Sequence, residues 1–423
     1  MVRKLQLGFL ALVLVIAAFS TGAPFLFFLL YLAILVTGGA YVMTRFGLAD
    51  LEAGYVFDRR HAHVGDALAV TYTVRNTSRL PKPWLEVYSP SDLPLPLPGR
   101  ALVLGPRSER SWVARVPLTR RGQFTVDQLV VRTGDPFGFF ESVAGVGEPQ
   151  SVIVYPPIES LPGLRLPPAM LEGAQANAER TAQITPHVTT IRPYVPGDAY
   201  NRIHWRSTAR HTDLQVKEFD LEQTADVWLF LDLESRSHAG DGDESTLEYA
   251  VRAAAAMASR SLLEGRALGM TAIGRNAVVL PVDRGARQYQ KVMQLLAAVQ
   301  ADGTTPLYEV LLRGLPRLRR GMTAVILTAS LAADWVRPLA KLRVRGVGTL
   351  LVLPEAAAFD GLERRNKGLP ELAPAEREGR EREQRALLHT LAEHDLTAAR
   401  LRPGIPLAEQ LLTTRGKRVL VHR

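Results

Sequence analysis

The pattern of apolar and polar positions divides the chain into three regimes. From Leu5 to Met43 it is continuously apolar: no charge occurs, and apart from two tyrosines only Gln6, Ser20, Thr21 and Thr37 are polar. As one helix this run would span roughly 58 Å at ~1.5 Å per residue, about twice the hydrocarbon core of a bilayer. It must break, and Ser20-Thr21-Gly22-Ala23-Pro24 is the place, because Gly loosens the backbone and Pro suits the first position of a helix. The pattern predicts a two-helix membrane hairpin over residues 1–45, with arms near Leu5–Phe19 and Phe25–Met43, the first short for a full crossing. A cleaved signal peptide over Met1–Ser20 is the rival reading, since Arg3 and Lys4 precede the apolar stretch. Arg3 and Lys4 on one side and Arg45 on the other favour both ends inside, and a cleaved signal followed by a stop-transfer span would leave residue 44 onward on that same side. The expected location is the cell membrane, crossed by two helices, with the soluble domains in the cytoplasm.

Over residues 55–155 the period changes to two. Leu68, Val70, Tyr72 and Val74 fall on one face of a strand, while Thr71, Thr73 and Arg75 fall on the other. Similar runs recur at Trp84–Tyr88, Ser111–Val116, Gln123–Val126, Leu129–Arg132, Phe139–Val143 and Ser151–Tyr155, separated by turn residues such as Gly65-Asp66 and Gly134-Asp135-Pro136. About seven short strands predict an antiparallel, immunoglobulin-like β-sandwich, with Pro90–Pro98 as a connecting loop. His61 and His63 alternate and would place two imidazoles on one face, but no third ligand stands nearby, so surface histidines are expected. Asp135-Pro136-Phe137-Gly138-Phe139-Phe140 reads as a tight turn feeding an aromatic strand, either a buried corner or a partner-binding tip.

Residues 156–190 show no core period and are read as a linker. The next stretch sets Arg192, Arg202, Arg206, Arg210 and Lys217 among Tyr194, Tyr200, Trp205 and Phe219, with Asp198 as the cap of a short helix through Trp205. Such side chains can stack on single-stranded nucleic acid, or form a structural cluster of guanidinium groups on rings. The structural cluster is expected, with Trp205 buried and its truncation costing about 3 to 5 kcal/mol. Arg192, Tyr194, Gly197-Asp198, Arg202, Trp205, Thr208, Arg210 and Lys217 resemble the signature of a large bacterial family, domain of unknown function fifty-eight. The resemblance covers the whole layout and implies a membrane hairpin, a β-sandwich, this signature and a von Willebrand factor A-like domain. It also implies a MoxR-type AAA+ ATPase as protein partner.

Independently of that resemblance, the last regime alternates strand and helix. Val227–Leu233 is a near-continuous apolar run, as a strand buried on both faces should be. Thr246–Glu264, Ala286–Ala298, Leu307–Leu315 and Ala332–Leu342 have helical spacing, and Leu268–Ile273, Ala277–Val282, Thr323–Leu327 and Gly348–Leu353 read as strands. Residues 191–415 are therefore expected to hold the signature and a doubly wound parallel sheet with one antiparallel edge, so the chain is α/β plus β. Glu355–Arg385, with eight acids and seven bases, is read as a solvated loop and helix. In domains resembling von Willebrand factor A, a divalent metal sits beyond the carboxyl end of the first strand. Here Asp232 matches its first ligand and Thr304 or Thr305 its threonine, but Glu234 and Arg236 stand where serines belong and Thr328-Ala329 where an Asp would. The site is read as degenerate, with Mg²⁺ binding doubtful and no other cofactor expected.

Composition narrows the functions further. The absence of Cys among 423 residues removes disulfides, thiolate zinc sites and cysteine nucleophiles. A net charge of +9 suits an anionic membrane or an acidic partner and is no nucleic-acid footprint; no nucleic acid is expected. No phosphate-cradling or dinucleotide glycine motif occurs, and His389, Glu393 and His394 lack the spacing of a zinc protease. No catalytic residue is assigned, and a non-enzymatic scaffold is expected. Arg317, Arg319 and Arg320, in a run from Arg313 to Arg345 with eight bases against Asp334 alone, form a candidate strip for steering an acidic partner.

Overall fold

The computed structural model describes residues 2–162, 164, 188–195, 200, 203–210, 213–219 and 226–412. It contains two compact units, Met1–Pro157 with Met293–Ala298, and Ile158–Val292 with Val299–Arg423.

The first unit opens with helices α1 (Val2–Thr21) and α2 (Pro24–Gly47), folded back on each other so that Phe19 meets Phe27 edge-on at 5.4 Å. The break falls at the expected place: Gly22 takes a left-handed φ of 64° and Pro24 starts α2. Both arms exceed their expected ends, but the apolar stretch of α1 among the described residues, Gly8–Thr21, is short for a crossing, as expected. The 24 residues of α2 are long and apolar enough to cross a membrane. Its last turns are different, for Ala40, Thr44 and Gly47 are buried on one face. There α2 packs on the β-sandwich, with Gly47 so close that an added Cβ would lie 2.6 Å from Thr133 Cγ2. Lys82, 1% exposed, donates from Nζ to the Phe46 carbonyl at 2.6 Å. A cation thereby joins the backbone N–H groups on a carbonyl at the negative end of the helix.

The sandwich has ten strands: β1 (Leu51–Phe57), β2 (His61–His63), β3 (Ala67–Asn76), β4 (Lys82–Tyr88), β5 (Arg100–Leu104), β6 (Glu109–Pro117), β7 (Gly122–Val126), β8 (Leu129–Gly134), β9 (Glu141–Val146) and β10 (Gln150–Tyr155). They form sheets ordered β1-β3-β6, β5-β4-β8-β9 and β2-β10-β7. The alternation seen along residues 68–74 is real: Leu68, Val70, Tyr72 and Val74 are buried against Leu85, Val87, Leu129 and Val131 of the facing sheet. The domain starts at Leu51, ahead of the expected residue 55, because β1 pairs with β3 along the whole of Leu51–Phe57. His61 and His63 are structural, since His61 stacks on Tyr155 and hydrogen-bonds its hydroxyl at 3.0 Å, and His63 bonds the Pro156 carbonyl.

In the second unit, the signature forms a hairpin of β11 (Val188–Pro193) and β12 (Gln215–Phe219) with helix α3 (Trp205–Thr208) between them. The rest runs β13 (Val227–Asp232), α4 (Thr246–Leu263), β14 (Leu268–Ile273), β15 (Ala277–Asp283), α5 (Gly285–Ala298), α6 (Leu307–Gly314), β16 (Thr323–Leu327), α7 (Val336–Val344), β17 (Gly348–Pro354), α8 (Ala356–Asn366), α9 (Pro374–Glu393), β18 (Ala398–Leu401) and α10 (Leu407–Leu412). The sheet order is β15-β14-β13-β16-β17-β18, parallel except for β15. Every residue of β13, β14 and β16 is buried, as central parallel strands require. Trp228, Phe230 and Ile326 pack with residues of α6, α7 and α9.

Three local expectations need correction. The start of the expected linker is tied down, because Glu159 pairs with Arg252 and Leu161 is buried with its carbonyl bonded by Arg260. The charged stretch is two helices, α8 and α9, anchored by buried Phe359, Leu387 and Leu391. Helix α7 begins at Val336, since Trp335, fully buried, holds the preceding loop in the core.

Candidate functional site

In an open α/β sheet the crevice lies beyond the carboxyl ends of the strands, where the winding direction reverses. Here that point is between β13 and β16. Asp232, the last residue of β13, is 0% exposed. Its Oδ1 accepts the Glu234 N–H at 3.0 Å and its Oδ2 the Thr328 hydroxyl at 2.6 Å. Thr328 Oγ1 in turn accepts the Ser330 N–H at 2.9 Å. A buried carboxylate is costly unless donors meet it, and this short chain of donors supplies both oxygens.

The loop after β13 turns back over the strand end. His238 Nε2 lies 3.0 Å from the Asp232 carbonyl and Nδ1 3.0 Å from Thr246 Oγ1. A carbonyl only accepts, so Nε2 carries the proton and the neutral ring accepts at Nδ1 from the Thr246 hydroxyl. Burial lowers the His238 pKa, and the charge of Asp232 and the bond to its carbonyl offset only part of that. The neutral form is favoured.

Glu234 bridges to Gly303, Ser235 N–H donates to the Gly303 carbonyl at 3.0 Å, and Gly303 N–H to the Leu233 carbonyl at 2.9 Å. Glycine is required here, because a Cβ on residue 303 would meet the Leu233 carbonyl oxygen at 2.9 Å. The fold thus brings the 302–305 loop beside Asp232 and Glu234 through the backbone. Thr304 is exposed, Thr305 is half-buried, and the Asp232 carboxylate is closed off beneath. These residues do not fit a hydrated Mg²⁺, which keeps several waters and needs accessible carboxylate oxygens. Among the described residues no group of three or more His, Asp and Glu is placed to hold a metal.

On the other side of Glu234 the strand-end loops enclose a cavity of about 380 Å³, lined among others by Arg236, Ser237, His238, Ser330, Glu355 and Arg380. Most of its cations are committed. Arg380 pairs with Asp360 at 3.0 Å, and Arg400 pairs with Glu355. Arg236 is exposed, with no ion pair among the described residues. Thr304 and Thr305 do not line this cavity. Sequence reasoning missed Thr328 as a donor and His238 altogether. The signal for Thr328 was its place directly after the apolar run of β16, matching Asp232 after that of β13.

The basic strip lies elsewhere. Arg317, Arg319 and Arg320 are exposed and directly precede β16, at the amino ends of the parallel strands. The structure therefore separates them from Asp232 by the length of the sheet.

Within the signature, Arg192 pairs across the hairpin with Val216 and Lys217 with Ile191. Tyr194 N–H bonds the Leu214 carbonyl, its ring stacks with Tyr200 at 6.0 Å, and Thr208 Oγ1 accepts the Gln215 N–H at 3.0 Å. Gly197, Asp198 and Arg202 lie outside the described residues, so the proposed Asp198 cap does too. The expected burial of Trp205 is wrong: it is 67% exposed, beside exposed Arg206 and Arg210. Ile203 and Val216, 4% and 2% exposed, form the buried pair instead.

Known proteins give few further leads. The chain is 25% identical over 321 residues to the "Uncharacterized protein YeaD" of Bacillus subtilis, covering 73% of this chain and 77% of that protein. It is 29% identical over 189 residues to the "Uncharacterized protein Rv1480" of Mycobacterium tuberculosis, covering 43% of this chain and 56% of the relative's length. Among solved structures, the CARDB domain of the PF1109 protein from Pyrococcus furiosus aligns with 25% of this chain and 92% of its own, at 17% identity and a TM-score of 0.20. Residues 190–395, which hold most of the signature hairpin and of the α/β sheet, match the profile described as "Protein of unknown function DUF58", the family whose signature this stretch resembles.

Proposed function

We propose that this chain is a membrane-anchored, cytoplasm-facing scaffold whose α/β unit docks a protein partner at the carboxyl end of its sheet. The observation that carries this is the contrast at that end. Asp232 is buried with both oxygens bonded, while Arg236 stands exposed, with no ion pair among the described residues, on the rim of the adjoining cavity. A reaction centre needs an accessible acid, base or nucleophile; a docking face needs an uncommitted charge and a shaped surface. The strand order, with β15 as the antiparallel edge and Asp232 closing the first strand, supports a von Willebrand factor A-like unit. Two apolar helices of 20 and 24 residues, with Arg3, Lys4 and Arg45 at the shared end of the hairpin, support a double crossing with both ends inside. The partner is an acidic face of a MoxR-type AAA+ ATPase.

Site-specific photocrosslinking in native membranes tests this. A crosslinker replacing Arg236 should capture the ATPase, and one replacing Arg319 should not. Capture only from position 319, or from neither, overturns the docking site.

The exposed ring of Trp205, with Arg206 and Arg210, favours a second surface for recognition on the signature hairpin. Aromatic rings flanked by arginines are common anchors of interfaces.

A further inference from the structure

The turn between β8 and β9 is neither a buried corner nor an open loop. Its core is Asp135, 9% exposed, whose carboxylate accepts the backbone N–H groups of Phe137 at 2.8 Å and Phe140 at 2.6 Å. Burial alone would raise the Asp135 pKa; the N–H groups of Phe140, Phe137 and Phe139 outweigh it and hold the acid below its ordinary value. Gly138 N–H donates to the Asp135 carbonyl, Asp135 N–H to the Phe140 carbonyl, and Pro136 has no N–H to place. The backbone donors of Asp135, Phe137, Gly138 and Phe140 thus have partners inside the turn. Satisfied donors lower the cost of moving a turn from water to the headgroup boundary. The outward face is aromatic: Phe137 is 51% exposed and its ring stacks on Phe139 at 5.5 Å.

The position of this tip is set by α2. Phe140 packs edge-on against Tyr41 at 5.6 Å. Tyr41 lies 17 residues beyond Pro24, which is roughly 26 Å along a helix rising ~1.5 Å per residue. A hydrocarbon core of about 30 Å entered near Pro24 therefore ends close to Tyr41. Tyrosine and tryptophan favour that boundary, and Trp84, 37% exposed, packs beside Gly134 at the base of the same turn. Directly behind the tip, Arg132 pairs with Glu141 and Glu86. These charges limit how deep the turn can go.

We infer that the Asp135–Phe140 tip is a membrane-interface wedge: Phe137 and Phe139 insert at the boundary of headgroups and acyl chains beside Tyr41, giving the sandwich a third contact with the bilayer. This rests on α2 crossing the membrane. The wedge uses no specific lipid headgroup, since its exposed groups are hydrocarbon rings.

The absence of cysteine gives a direct test, because one introduced thiol is the only labelling site. Leu35→Cys in α2, Phe137→Cys at the tip and Arg60→Cys at the opposite end of the sandwich each carry a nitroxide in the full chain. Each is reconstituted in phosphatidylcholine–phosphatidylglycerol vesicles, and its collisions with oxygen and with an aqueous nickel chelate are compared. Labels at 35 and 137 should favour oxygen, with 137 the shallower, and the label at 60 should favour nickel. A label at 137 that meets nickel as freely as the one at 60, while 35 stays in lipid, overturns the wedge alone. If 35 also meets nickel freely, the crossing by α2 fails and the wedge with it.

Discussion

At the scale of single residues, the centre of the α/β unit is a histidine held neutral by burial and bonded to the backbone carbonyl of the buried Asp232. Asp232 was legible in the sequence because it ends an apolar run. Thr328 read only as a missing ligand, and its hydroxyl acquires meaning once β16 lies parallel beside β13. His238 was illegible, since a short helical turn through Ser235–Ser237 brings it back to the strand end without any sequence period. Its lowered pKa has a sign that can be measured. The unfolded chain protonates this ring near its ordinary pKa of 6.5, whereas the folded chain resists until a lower pH. Below about pH 6.5 the unfolded state binds the extra proton, so stability falls with pH until the folded ring also titrates. We expect thermal unfolding of the full chain in detergent to shift down between pH 7.5 and 5.5. His238→Gln, which keeps a donor toward the Asp232 carbonyl, should lessen that shift. An unchanged pH dependence would show that His238 does not cause it.

Elements were legible where one period ruled and obscure where two competed. Leu268–Ile273 and Thr323–Leu327 are apolar runs bounded by turns, and both are strands at those limits. Strand β5 was missed because Ala101, Leu102, Val103 and Leu104 do not alternate with polar residues; its pattern comes from pairing with β4. Helix α9 was blurred by charge on nearly every face, and is held by spaced pairs such as Arg377 with Glu381 and by two leucines. The signature hairpin shows the limit of composition: an aromatic among arginines can point either way, and only the strand pairing turned Trp205 outward. Trp205→Ala should therefore change stability by less than about 1 kcal/mol, as surface substitutions do, where a buried ring would cost about 3 to 5. Equilibrium unfolding of the variant decides between these values. A loss in the buried range would mean that Trp205 packs in a core after all.

Across the whole molecule, charge and chemistry are sorted to different ends of the same sheet. The arginines before β16 and the aspartate at the end of β13 are neighbours in neither sequence nor space. A five-residue strand advances about 3.3 Å per residue, so roughly 16 Å of buried sheet stands between them. Reversing Arg317, Arg319 and Arg320 to Glu should leave crosslinking from position 236 in place and alter only the salt dependence of association. If the triple variant abolishes the crosslink at physiological salt, the strip belongs to the contact itself.

The joint at Phe46 and Gly47 has a mechanical consequence. Lys82 holds the Phe46 carbonyl at the end of α2, and Thr133 leaves no room above Gly47. There is no swivel between helix and sandwich. In the crossing proposed for α2, a bilayer thinner or thicker than the helix prefers changes its inclination. With the joint locked, the sandwich must lean by the same angle, like a mast fixed to its keel. Membrane thickness is thereby converted into the orientation of a soluble domain.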